Sequence, residues 1–250
     1  MIVQGNGEVH MSSLMDVVYI VRPGDDNEEL RYSLRSLKNI PHRKVFIAGY
    51  KPEWVTGVEY LPVPQSQHKY DNIQKNLQAV FSAQEATDDV IYMNDDFFVM
   101  KPIKEVEVLH RGKLLDVIDE YEKKFSPWML YPTYMRNTVY MLRKLGVEVD
   151  DIKSYDSIHV PMVVNRRKWL ALQQKSKELF PNFQLMLWRT MYGNYYQLGG
   201  REVDDAKVAN SFGSIDHDAT FLSSLDSSFR DGAIGKFVCD TFPDKGQYEV

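Results

Sequence analysis

Three short apolar runs dominate the first half of the chain: Val17–Val21 (VVYIV), Lys44–Ala48 (KVFIA) and Val90–Met93 (VIYM). Each is rich in β-branched or aromatic residues with no polar residue at alternate positions. That pattern suits strands buried on both faces. A fourth run, Val58–Val63 (VEYLPV), is cut short by its proline. Between the runs lie helical signals. Asp25, Asp26 and Asn27 can cap a helix start, and Glu28 and Glu29 favour its first turn. Leu30, Leu34 and Leu37 then recur on one face. Ile73, Leu77, Val80 and Phe81 mark a second amphipathic helix, opened by His68–Asn76 (HKYDNIQKN). Strands alternating with helices imply an α/β fold with an open, mostly parallel, Rossmann-like sheet and flanking helices. Such sheets bind ligands outside the carboxyl ends of their strands.

The second half reads as helix-rich. LLDVIDEYEKK, NTVYMLRKLG, RRKWLALQQKSKELF and FQLMLWRTMYGNYYQLGG all look helical, and Asn165 is placed to cap the third. SIHVPMVV reads as extended, KFVC as a short strand, and ATFLSSL as a helix after the loop SFGSIDHD. We expect residues 1–14 to be a loose leader and 15–250 one domain, with a ligand-binding half over about 15–110 and a helix-rich half over about 111–250.

The net charge of −5 over 250 residues argues against a dedicated nucleic-acid binder, whose footprint is basic. The single cysteine, Cys239, excludes an internal disulfide and a cysteine-based zinc site. No run approaches a transmembrane span, and the amino terminus lacks a signal-peptide pattern, so a soluble cytoplasmic protein is expected. No Gly-x-x-x-x-Gly-Lys, Gly-x-Gly-x-x-Gly or Gly-x-Ser-x-Gly motif is present, which argues against P-loop, dinucleotide and α/β-hydrolase chemistry.

The chemistry-bearing residues gather around YMNDDFFVMKP. Asp95 and Asp96 follow a buried strand, where paired carboxylates are costly unless a cation or donors compensate them. Mg²⁺ or Mn²⁺ does this with one or two carboxylates plus substrate phosphates; an acidic turn is the plainer alternative. Asn94 stands beside them. Arg22 directly follows the first strand, and Asp26 falls at the same sheet edge. Arg31 and Arg35 share a helix face, placed either to meet phosphates or to pair with Glu28. Lys69, Asn72 and Asn76 offer donors near a helix start, where anions are favoured. In the second half, His159, Asp205, Asp216, His217 and Asp218 are candidates to take a proton, and Arg189 is a further candidate to carry chemistry. A histidine among apolar neighbours is also a common core residue, and Asp216–Asp218 also suits a capped loop.

With these residues assembled, the chain resembles the GT-A class of nucleotide-sugar transferases, which carry a strand-end acidic motif. More narrowly it resembles the Stealth family of sugar-1-phosphate transferases. DVVYIVRPGDD is similar to the opening Stealth block. NEELRYSLRSLKNIPHRKVFIAGYKPEW and IYMNDDFFVMKPI are similar to the start and end of its longest block. HVP and Arg189 resemble fragments of the third, and FPDKGQYE the fourth. The shorter IVRPGD stands where that family usually has a Thr-Trp-Val-Asp/Asn-Gly run. The resemblance implies a nucleotide-sugar donor bound by Arg22, Asp26, Arg31, Lys69, Asn72 and Asn94. It implies Mn²⁺ or Mg²⁺ on Asp95 and Asp96, with His159 and Arg189 preferred in the second half and Asp216 and His217 as further catalytic candidates. The reaction implied is glycosyl transfer to an acceptor hydroxyl, or sugar-1-phosphate transfer; a glycan- or nucleotide-binding module that has lost catalysis is the third reading. The acceptor, a glycan, protein or modified nucleic acid, stays open, as does the oligomeric state.

Overall fold

A computed structural model describes residues 14–24, 26–67, 69–124, 129–180, 186–210 and 214–250. Its centre is a five-stranded sheet of order β3-β2-β1-β4-β7. The strands are β1 (Asp16–Val21), β2 (Val45–Gly49), β3 (Glu59–Pro62), β4 (Asp89–Met93) and β7 (Met162–Asn165). The first four run parallel, and β7 closes the edge antiparallel to β4. The mostly parallel α/β sheet read from the sequence is therefore present. The extended reading of SIHVPMVV holds only from Met162 onward. Before it, Pro161 has no N–H to donate, and His159 adopts φ 41°, outside strand geometry.

Strand alternation builds two cores. Val17, Tyr19 and Val21 of β1 face the helix α1 (Glu28–Ser36), burying Leu30, Leu34 and Leu37. Val18 faces the other way, toward α2 (Lys69–Ser82) and α5 (Arg166–Leu179), where Leu77, Phe81 and Trp169 are buried. Asn165 caps α5 as expected, its side chain accepting from the Lys168 N–H at 3.0 Å. At α1 the expectation differs. Asn27 occupies the cap position in the left-handed region and makes no side-chain cap.

The second half adds α3 (Leu114–Lys124), α4 (Leu130–Lys144), α6 (Trp188–Tyr195), α7 (Asp226–Arg230) and α8 (Ala233–Thr241). Two expectations are corrected here. KFVC lies inside α8, because Ile234 and Val238 recur at helical spacing and are buried. ATFLSSL contains strand β10 (Phe221–Ser224), which pairs antiparallel with β5 (Phe97–Val99) and parallel with β9 (Lys207–Val208). A two-stranded pair, β6 (Leu109–His110) with β8 (Arg201–Glu202), completes the strands. Among the described residues, no helix is long and apolar enough to cross a membrane.

Gly49, at the end of β2, has φ +104°. A Cβ there would stand 2.3 Å from the Val21 carbonyl and 2.9 Å from Asn76 Nδ2. Gly49→Ala is expected to destabilise the protein by about 1–3 kcal/mol, read as a lowered urea midpoint.

Candidate active site

The strand order reverses between β1 and β4, since β1 leads to β2 on one side and meets β4 on the other. Crevices at such a point bind ligands. Arg22 leaves the end of β1 there, and Asn94 and Asp95 leave the end of β4. They line a cleft of about 710 Å³ together with Lys69, Asn72, Asn76, Tyr131, Asp156, His159, Trp188, Arg189 and Lys207.

The acidic loop is fixed from below by α1. Ser33 donates its hydroxyl to the Phe97 carbonyl at 2.5 Å and shares a hydrogen bond with the Tyr19 hydroxyl at 2.9 Å. Ser36 accepts from the Val99 N–H at 3.1 Å. These bonds join ELRYSLRSL to NDDFFV and hold β5, which begins directly after Asp96. From the other side, β9 and β10 bring up polar partners. Asp96 Oδ2 accepts from Lys207 Nζ at 2.8 Å and from Ser223 Oγ at 3.3 Å. Asp96 Oδ1 is buried and has no hydrogen-bond partner among the described residues.

Among the carboxylates of the cleft, Asp95 is strongly perturbed. Burial, reinforced by the charges of Asp96 and Glu29, pushes its carboxyl up to about 7, against the pull of Arg22. Glu29 is also raised, chiefly by burial, although Ser224 donates a hydrogen bond to it. The crevice thus concentrates negative charge that the surrounding protein compensates incompletely. Glu29 and Lys207 were not among the residues singled out from the sequence. Glu29 had looked like an ordinary first-turn acid, and Lys207 sits in a stretch with no motif.

Across the cleft, His159 Nδ1 lies 2.8 Å from Asp205 Oδ1. A carboxylate only accepts, so Nδ1 carries the hydrogen, and in the neutral imidazole Nε2 is the acceptor. The backbone at His159 sits at φ 41°, a sparsely populated region for a non-glycine residue. Arg189 holds that backbone. It is 4% exposed and donates to the carbonyls of Val160 at 3.1 Å and Asp156 at 2.9 Å. Asp156 in turn accepts from the Thr190 N–H at 2.7 Å. Arg189 therefore acts on the loop that presents His159, with its donors turned toward protein carbonyls.

The cleft brings together Arg22, Lys69, Asn72, Asn94, Asp95, His159 and Arg189, with Asp96 beside it through Lys207. Asn72 is engaged with Ser66 through both its amide atoms. Six expected residues lie elsewhere, among them Arg35, which pairs with Glu249 at 2.7 Å, and Asp218, which pairs with Lys101 at 3.0 Å. Arg31 pairs with Glu28 at 2.8 Å and Glu249 at 3.0 Å and stacks 4.2 Å over Trp54, because Glu249 docks on that face of α1. Asp26 faces Glu28 N and Arg230. Asp216 accepts from the Asp218 N–H in an exposed turn, and His217 packs edge-on to Phe237 at 4.5 Å. Asp216 lines a neighbouring cavity of about 1010 Å³ that shares Lys207 with the cleft. That cavity is larger but lacks the strand-end carboxylates of the main sheet, so the smaller one is the candidate site.

No family model matches the sequence, and no curated protein matches it. Among solved structures, the backbone is similar to the galactosyltransferase LgtC in complex with donor and acceptor sugar analogs. Identity there is 12%, covering 93% of this chain and 98% of that one, with a TM-score of 0.49. It is also similar to the apo form of the glycosyltransferase GlyE of Streptococcus pneumoniae TIGR4, at 12% identity over 77% of this chain and 46% of that one, with a TM-score of 0.39. A third is the bifunctional glycosyltransferase WbbM in its apo form, at 10% identity over 95% and 45%, with a TM-score of 0.41. These are loose resemblances of chain path, and they assign no residue a role.

Proposed function

We propose that the chain is a GT-A-type, nucleotide-sugar-dependent glycosyltransferase acting on an acceptor hydroxyl. The observation that carries this reading is the position of Asp95. Its raised, half-buried carboxyl stands at the crevice between β1 and β4, beside Arg22 and across the cleft from the His159–Asp205 pair. Arg22 and Lys69 supply positive charge for a diphosphate.

The donor set suits a divalent ion. Asp96 Oδ1 is an orphaned buried acceptor, and Asp95 stays under-compensated. Among the described residues no three His, Cys, Asp or Glu side chains converge on one point, so substrate oxygens and water would supply the remaining ligands. Asp95 and Asp96 would hold Mn²⁺ or Mg²⁺, which when bound neutralises charge on the departing diphosphate. His159 Nε2 takes the acceptor hydroxyl proton, and Asp205 holds the ring in the tautomer that permits it. Arg189 keeps the loop in place.

Three measurements test this. A thermal-shift screen of nucleotide sugars with and without Mn²⁺ should find one donor that raises the melting temperature by mass action. Product analysis should then find free nucleoside diphosphate; the monophosphate would mean sugar-1-phosphate transfer instead. His159→Gln is expected to slow turnover by roughly 10²–10⁴-fold with the fold intact. Unchanged turnover in that variant would remove His159 from the reaction.

A further inference from the structure

Lys207 is the one cation that touches the acidic pair directly among the described contacts. Its Nζ lies 2.8 Å from Asp96 Oδ2, with the two side chains only 16% and 15% exposed. Backbone pairing and hydrogen bonds hold it in place. β9 pairs Lys207 with Ser223 of β10, and Ser223 also donates to Asp96 Oδ2. The Lys207 N–H donates to Asp205 Oδ1 at 3.1 Å, the oxygen that also holds His159. Lys207 thus stands between the acidic loop and the histidine, and it lines both cavities.

We infer that Lys207 is a built-in counterion that competes with the divalent ion for Asp96 and exchanges Asp96 for the donor diphosphate when the donor arrives. The reasoning is electrostatic. An ammonium and a divalent ion bound to one carboxylate repel strongly at this depth. An ion entering the free protein must therefore displace Lys207 or share Asp96 with it. A diphosphate in the cleft offers Lys207 a new anionic partner and releases Asp96. Ion and nucleotide then favour one another's binding, with a coupling that Lys207 enlarges. In their absence Lys207 keeps Asp96 from being left as an uncompensated buried charge.

This inference rests on the metal assignment proposed above, and the test separates the two. Mn²⁺ binding is followed by the loss of its free-ion electron paramagnetic resonance signal, with and without a nucleoside diphosphate, on the full chain. Lys207→Met and the hydrogen-bonding neutral variant Lys207→Gln are compared with wild type after near-ultraviolet circular dichroism confirms folding. Both neutral variants are expected to bind Mn²⁺ about 10- to 100-fold more tightly without nucleotide. The extra tightening conferred by the diphosphate should shrink in both. Lys207→Arg, which keeps the charge, should bind no more tightly than wild type. Equal or weaker Mn²⁺ binding by the folded neutral variants would overturn the role of Lys207 and leave the metal assignment standing. Absence of Mn²⁺ binding in every protein, with diphosphate present, would overturn both. If Lys207→Met does not fold, Lys207→Gln and Lys207→Arg decide the question between them.

Discussion

Asp95→Asn is expected to abolish donor turnover, by roughly 10³-fold, and at the same time to make the metal-free protein more stable at neutral pH. The two effects share one cause. Burial, Asp96 and Glu29 raise the native Asp95 carboxyl from 3.8 to about 7. Between those values the folded protein holds a proton that the unfolded chain has released. Stability therefore falls as pH rises through that window, and the penalty is fully present above it. Asparagine carries no charge, so the variant escapes the penalty. In urea titrations it should exceed wild type by about 1–3 kcal/mol at pH 7.5, and the two should converge near pH 4. A variant that loses turnover and is also less stable at pH 7.5 would show Asp95 to be a structural carboxylate. Stability given up for a charged, under-compensated site is the pattern expected where function requires it.

Glu249→Ala should produce the largest loss of stability, about 3–5 kcal/mol, with the cleft itself untouched. Glu249 is 2% exposed in its side chain and receives Arg35 at 2.7 Å and Arg31 at 3.0 Å. Arg35 also donates to the Phe242 carbonyl at 3.0 Å. Burial raises the Glu249 carboxyl, but Arg35, the Gly246 N–H and Arg31 outweigh it and bring it down to about 2. Here the sign is opposite to that of Asp95. The contribution is fully present above the ordinary value of 4.5 and is lost as pH falls toward 2. Truncation leaves the Arg35 guanidinium without its carboxylate and Arg31 with Glu28 alone. A urea midpoint unchanged in Glu249→Ala at pH 7, or an equal loss at pH 7 and pH 2.5, would contradict this account. The combined contribution of these two residues is largest at mildly acidic pH.

Arg31 shows where sequence reading reaches its limit. Its spacing from Arg35 was legible, and so was the alternative that such charges pair with carboxylates. The partner was not, because Glu249 lies 218 residues away from Arg31 in the chain. The same holds for the motifs ELRYSLRSL and NDDFF. Their occurrence together was visible, and the Ser33 and Ser36 hydroxyls that join α1 to β5 give it a physical basis. KFVC and ATFLSSL were misread because short apolar runs satisfy strand and helix templates alike, and packing decides between them.

The sequence by itself determined the parallel strands, the helices between them and the delivery of Asp95 to a strand end. Those follow from local periodicity and from the few ways that strand–helix–strand units connect. Only the tertiary structure decided which charges meet. Lys207 reaches Asp96 across 111 residues, and Asp205 reaches His159 across 46. Arg31 and Asp26 turn away from the cleft that their neighbours line. A charged side chain on a helix or loop has the same local preferences whichever way it faces. Its partner is fixed by long-range strand pairing, here β5 with β10 and β10 with β9, which the local sequence does not encode.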